Sequence, residues 1–108
     1  MVRAGNLFAD IPPPAKDEHF TELLAGEHVT IERIVSHGQA SPPGFWYDED
    51  EGEWVMVLAG AARLLFEGEA KARELEAGDF VYIPPHTRHR VEWTDPAKPT
   101  VWLAVHHG

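Results

Sequence analysis

From Val29 onward, short runs with apolar content recur about every ten residues, and Gly, Pro or Asp stands close to the ends of most of them. They are Val29 to Val35, Trp54 to Leu58, Ala61 to Phe66, Ala70 to Leu75, Phe80 to Ile83, Arg88 to Trp93 and Val101 to His106. No long helical periodicity lies between them. Strands this short, punctuated this regularly, predict an all-β fold, an antiparallel sandwich or barrel. At 108 residues the chain holds one domain, and 44% hydrophobic content is enough for a buried core. Residues 1–28 read as an N-terminal arm packed on a barrel domain of residues 29–108. Within the arm a proline run stands at Pro12 to Pro14, a short helix is expected around Asp17 to Leu24, and Leu7, Phe8, Ile11 and Phe20 argue for docking.

Two of the runs constrain the surroundings as well. Trp54 to Leu58 and Val101 to Val105 are apolar at every position, whereas a half-exposed strand alternates apolar with polar. Both faces therefore need a cover. With little helix to supply it, the arm or a second copy of the chain is the expected source, which predicts a homodimer.

Charge and composition narrow the partners. Eighteen acidic against nine basic residues give a net charge of −9, which repels nucleic acid and anionic lipid surfaces. No apolar run approaches the ~20 residues of a membrane helix, and the first residues lack the pattern of a signal peptide, so a cytoplasmic location is expected. The absence of cysteine removes thiolate metal sites and disulfides, leaving His, Asp and Glu as metal ligands.

The most specific local pattern is Leu75-Glu-Ala-Gly-Asp-Phe-Val-Tyr-Ile-Pro-Pro-His-Thr-Arg-His89. A Gly-Asp turn delivers a short buried strand, a proline pair ends it, and His86 and His89 follow. This resembles the second conserved motif of the cupin family, in which Gly78, Pro84 and His89 match, while His86 stands where the family has Gly and Trp93 where it has Asn. In the first cupin motif Glu53 and Gly60 match, with Trp54 to Ala59 between them, but the two histidines are absent. Their places hold Trp46 and Asp48, or Tyr47 and Glu49, depending on the spacing. The resemblance spans roughly Pro42 to Val105 and implies a small antiparallel β-barrel of the jelly-roll type.

On that resemblance Glu53 and His89 are the first metal-ligand candidates, Asp48 the next, and His86 or His106 the addition. Such a mixed carboxylate and imidazole set suits Zn, Mn or Fe(II). Asp48 to Glu53 packs five carboxylates into six residues, and Glu49, Asp50 and Glu51 read as a solvated loop. A bound cation would depress the Asp48 and Glu53 pKa values, so that acidification would cost stability. Arg88 and Arg90, alternating with His89, are expected to face outward and pair with carboxylates. Trp46, Tyr47, Tyr82, Trp93 and Trp102 are candidates for walls of a pocket, with core packing as the ordinary use of large aromatics.

Three functions follow as expectations. The first is a cupin that binds a divalent metal and a small polar molecule. A metal-free barrel that binds or senses a small ligand is the second. The resemblance also implies metal-dependent oxygenases, isomerases or decarboxylases, activities that depend on pocket residues the fold does not supply. Whether the chain is an enzyme stays open at this point.

Overall fold

The computed structural model describes residues 1–108. Eight strands follow in order: β1 (His19–Ala25), β2 (Val29–Ser36), β3 (Gly52–Ala59), β4 (Ala61–Phe66), β5 (Arg73–Glu76), β6 (Phe80–Ile83), β7 (His89–Thr94) and β8 (Thr100–His107). A five-stranded sheet in the order β1-β2-β8-β3-β6 faces a three-stranded sheet in the order β5-β4-β7. Every pairing is antiparallel. The fold is thus the all-β jelly roll expected, with its ladders divided between two facing sheets.

One element differs from expectation. The segment anticipated as a short helix over Asp17 to Leu24 is instead the edge strand β1, paired with β2 from His19↔Val35 to Ala25↔Thr30. A register shift between Glu22 and Leu24 breaks the two-residue alternation, so the sequence spacing of Phe20, Leu23 and Leu24 imitates a helix. Non-local pairing decided the outcome.

The core joins Val55, Val57, Ile83, Trp102 and Ala104 of the large sheet to Ala62, Leu64 and Leu75 of the small one. Gly60 turns the chain between β3 and β4 at φ 86°, and a Cβ there would lie 2.5 Å from Thr100 Oγ1 and 2.7 Å from the Pro99 carbonyl. Only glycine fits that corner.

On β2 the two faces have unusual contents. Glu32 and Ile34 turn inward, while Arg33 turns outward and is nearly buried. Its guanidinium donates to the carbonyls of Leu7 at 3.2 Å and Ala9 at 2.7 Å, which ties the N-terminal segment to the outer face. His37 meets the Pro12 carbonyl at 2.9 Å and Gln39 donates to that of Ala15 at 2.8 Å, extending the attachment. Further across the same sheet, Trp54 and Met56 of β3 are only half-buried, and Phe80 and Tyr82 of β6 are exposed. Within one chain the second apolar face of β3 therefore stays partly open.

Candidate functional site

A cavity of ≈ 80 Å³ lies between the sheets. Ile34, Val55, Leu64, Ile83, Val91 and Trp102 give it apolar walls. Its polar groups are the carboxylates of Glu18, Glu32, Glu49 and Glu53 and the imidazoles of His89 and His106, with Phe20 and Tyr47 completing the lining. No lysine or arginine contributes.

Strand register places these groups. Glu53 pairs with His106 across β3 and β8 and with Ile83 across β3 and β6, so it enters the cavity at the first step of alternation after Gly52. A Cβ at Gly52 would stand 2.8 Å from the Tyr82 hydroxyl and 3.0 Å from the His107 ring, so a side chain just before Glu53 would displace β3 from its neighbours. His106 shares its face with Trp102 and Ala104, and Glu32, opposite Ala104 on β2, reaches the His106 ring diagonally. His89 opens β7 and exchanges backbone hydrogen bonds with Tyr47, at 2.7 and 3.1 Å, which brings the Tyr47 to Glu49 segment over the cavity.

Around His106 three carboxylates converge. Its Nε2 is 2.9 Å from Glu32 Oε1 and 4.0 Å from Glu53 Oε2, and its Nδ1 is 3.5 Å from Glu49 Oε2. His89 is only 5% exposed. Its Nδ1 donates to the Thr87 carbonyl at 2.8 Å, and its Nε2 is turned toward Glu53 Oε1 at 3.8 Å, too far for a hydrogen bond. The Tyr47 ring stacks on it at 5.3 Å, fixing the imidazole plane.

These neighbours perturb the titrations. Burial pushes Glu53 up from 4.5 to about 7, His106 pulls it back, and Glu49 and Glu32 push it further up. For His106 burial acts downward, yet the Glu32 hydrogen bond and the charges of Glu53, Glu32 and Glu49 outweigh it, and the net shift is upward. Burial and then the carboxylates raise the Tyr47 phenol, Glu18 first among them. The Glu53 shift is thus upward, first from burial and then from neighbouring carboxylates that leave the site short of positive charge.

A divalent ion fits that deficit. Ligand atoms of Glu49, Glu53 and His106 all lie within 4.8 Å of one another, and Glu32 supplies the carboxylate that orients a metal-binding imidazole. The donor set is oxygen and nitrogen, as Zn, Mn or Fe(II) would require.

The sequence candidates divide between this cavity and its exterior. Glu53, His89 and His106 line it, as do Tyr47 and Trp102. Asp48 and His86 do not join them: His86 Nδ1 meets Asp48 Oδ1 at 3.0 Å and its Nε2 meets Asp50 Oδ1 at 3.5 Å, on the exposed rim. Trp46 lies under the Arg88 guanidinium at 5.6 Å and Trp93 under that of Arg63 at 4.7 Å, both outside the cavity lining. Tyr82 stacks on His107 at 5.6 Å, away from the cavity. Arg88 and Arg90 pair with Glu67 and Glu92, each at 2.9 Å. Glu49 leaves the solvated loop expected of it and lines the cavity, and Glu18 and Glu32, absent from the sequence candidates, do the same. Glu32 left no clear local signal: its face of β2 carries Thr30, Ile34 and Ser36 and the opposite face Val29, Ile31, Arg33 and Val35, so alternation does not tell the inner face from the outer.

Comparison with known proteins agrees with this geometry. The Cupin domain profile matches residues 32–106. A candidate mannose-6-phosphate isomerase from Ralstonia eutropha JMP134 is 55% identical, with 98% of each chain covered and a TM-score of 0.96. At 16% identity, an RmlC-like cupin from Desulfovibrio desulfuricans covers 99% of this chain and 97% of its own with a TM-score of 0.79, and the Thermus thermophilus protein TT1209 covers 98% and 97% with a TM-score of 0.81. No curated protein matches. With the profile spanning β2 to β8 and the jelly roll shared throughout, the chain belongs to the cupin family.

Proposed function

We propose that this cupin binds one divalent transition metal, Zn, Mn or Fe(II), through Glu49, Glu53 and His106, with His89 Nε2 facing the ion and a small polar molecule sharing the cavity. The observation that carries the reading is the convergence of those three side chains, their ligand atoms all within 4.8 Å of one another. The ion would supply positive charge to polarise a bound oxygen. The chain's own part is to hold it, with Glu32 fixing the His106 ring and Thr87 fixing that of His89. Elemental analysis of untagged protein, followed by dialysis against each ion, tests this. About one equivalent of metal and a raised melting temperature are expected; a protein that stays metal-free with an unmoved melting temperature refutes it.

A second reading, isomerisation of a hydroxycarbonyl compound, draws on the likeness to the candidate isomerase and on the Glu53 pKa near neutrality, which suits proton transfer. Solvent deuterium incorporation into a hydroxyaldehyde would report it. We also propose that two copies pair through the open outer face of β3 and β6.

A further inference from the structure

One wall of the cavity is not used by the metal reading. Glu18, just before β1, extends into it from the N-terminal segment. The Trp102 indole N–H donates to Ser36 Oγ at 3.0 Å, and the Ser36 hydroxyl in turn donates to Glu18 Oε2. The direction is set by chemistry, because an indole nitrogen can only donate and the serine proton is then free for the carboxylate. This chain anchors one Glu18 oxygen and leaves Oε1 as an acceptor without a partner. Across the cavity stands His89, its ring nine-tenths buried and its Nε2, the atom assigned to the ion, without a hydrogen bond.

The charge of this enclosure is one-sided. Four carboxylates line it and no lysine or arginine does. A divalent ion would compensate Glu49 and Glu53, leaving Glu18 and Glu32 to meet whatever enters beside it. The guanidiniums of neighbouring strands point away: Arg33 holds the carbonyls of Leu7 and Ala9, and Arg90 holds Ser41 and Glu92. Lys16 lies only in the shallow groove outside, next to Asp17. Apart from the ion and His106, a phosphate or carboxylate would meet no positive group there and would enter against the like charge of Glu18 and Glu32, a penalty that grows as water is excluded.

We infer that Glu18 anchors the small molecule of this cavity by accepting a hydrogen bond from it, and that the cavity selects an uncharged hydroxyl compound or an amine over a phosphorylated or carboxylated one. The inference rests on the cavity being a ligand site, as proposed above, and deepens it by assigning the ligand class. It also separates this chain's ligand from the phosphorylated sugar in the name of its relative.

The test compares wild type, Glu18→Gln and Lys16→Ala after metal loading. Glutamine keeps the size of Glu18 and an oxygen for Ser36 but removes the charge. Glycerol, D-mannose and ethanolamine form one probe set, inorganic phosphate and D-mannose 6-phosphate the other, with binding read by saturation-transfer NMR and calorimetry. At least one probe of the first set should bind wild type and weaken tenfold or more in Glu18→Gln, and D-mannose 6-phosphate should bind at least tenfold more weakly than that probe. Metal content should be equal in wild type and Glu18→Gln, so a metal-free wild type would fail the metal reading separately. The inference is overturned if no first-set probe binds, if Glu18→Gln binds it as well as wild type does, or if D-mannose 6-phosphate binds best, in which case loss of that binding in Lys16→Ala would assign the phosphate to the groove outside.

Discussion

Replacing Glu53 with glutamine should make the metal-free protein more stable at alkaline pH and change it little at acidic pH. Folding moves this carboxyl from 4.5 to about 7. Its folded pKa lies above its unfolded one, so the folded state binds more protons across that interval and stability falls as the pH rises through it. At 1.36 kcal/mol for each pH unit, the full loss is about 3 kcal/mol, complete above about pH 8 and absent below about pH 4. The side chain is 11% exposed, so solvent screening removes little of it. His106, also shifted upward, loses stability in the same direction, over a window that starts at 6.5. Urea denaturation of both proteins at pH 5 and pH 8, with chelator present, measures the difference. At pH 8 Glu53→Gln should exceed wild type by up to about 3 kcal/mol, and at pH 5, near the foot of the transition, by less than about 1 kcal/mol. Mn or Zn at one thousand times its Kd should reverse the order at pH 8, since that excess stabilises wild type by about 4.1 kcal/mol. Parallel pH profiles for the two proteins would refute the buried-carboxylate reasoning.

His89→Ala should lower metal content and melting temperature together, while His86→Ala, on the exposed rim, should leave metal content unchanged; elemental analysis and a thermal scan check both. Gly60→Ala should cost roughly 3 kcal/mol or more, a left-handed penalty added to a clash with Thr100 at 2.5 Å, against about 1 kcal/mol for Gly78→Ala, whose Cβ meets nothing within 4 Å. Chemical denaturation ranks the two, and equal losses would contradict the close approach at Thr100. Light scattering at micromolar concentration should give twice the 12.1 kDa chain mass, and Tyr82→Glu should return it to one chain; a wild-type mass of one chain rejects pairing.

The strands were legible because Gly, Pro and Asp punctuate them locally. Gly60 and Gly78 occupy left-handed turns at φ 86° and 93°, and that backbone demand is written in the residue type. β1 was not legible in the same way. Its register shift hides the alternation, and what makes it a strand is the edge of β2, a segment whose pairing no local window contains.

The site followed a similar division. Glu53, His89 and His106 could be found because each ends or begins a strand with a fixed inward face, so position along the chain predicts direction. Glu49 could not. It sits among Asp48, Asp50 and Glu51, four carboxylates of near-identical local sequence, and only Glu49 is turned to His106. The selection is made by contacts distant in sequence: the Tyr47 bridge to His89, the His86 N–H donating to the Glu49 carbonyl at 2.7 Å, and the His86 ring drawing Asp48 and Asp50 to the rim. His86 adopts φ 58°, a conformation a histidine takes at some cost, so the strained turn occurs where the loop that carries Glu49 is held. The position that the family motif gives to glycine is thus occupied here by a residue that keeps the glycine-like backbone and adds a clamp on the acidic loop. Loss of the first-motif histidines and gain of His86 then belong together: with the imidazoles gone, a carboxylate from the loop approaches the cavity, and a side chain on the opposite turn fixes which one.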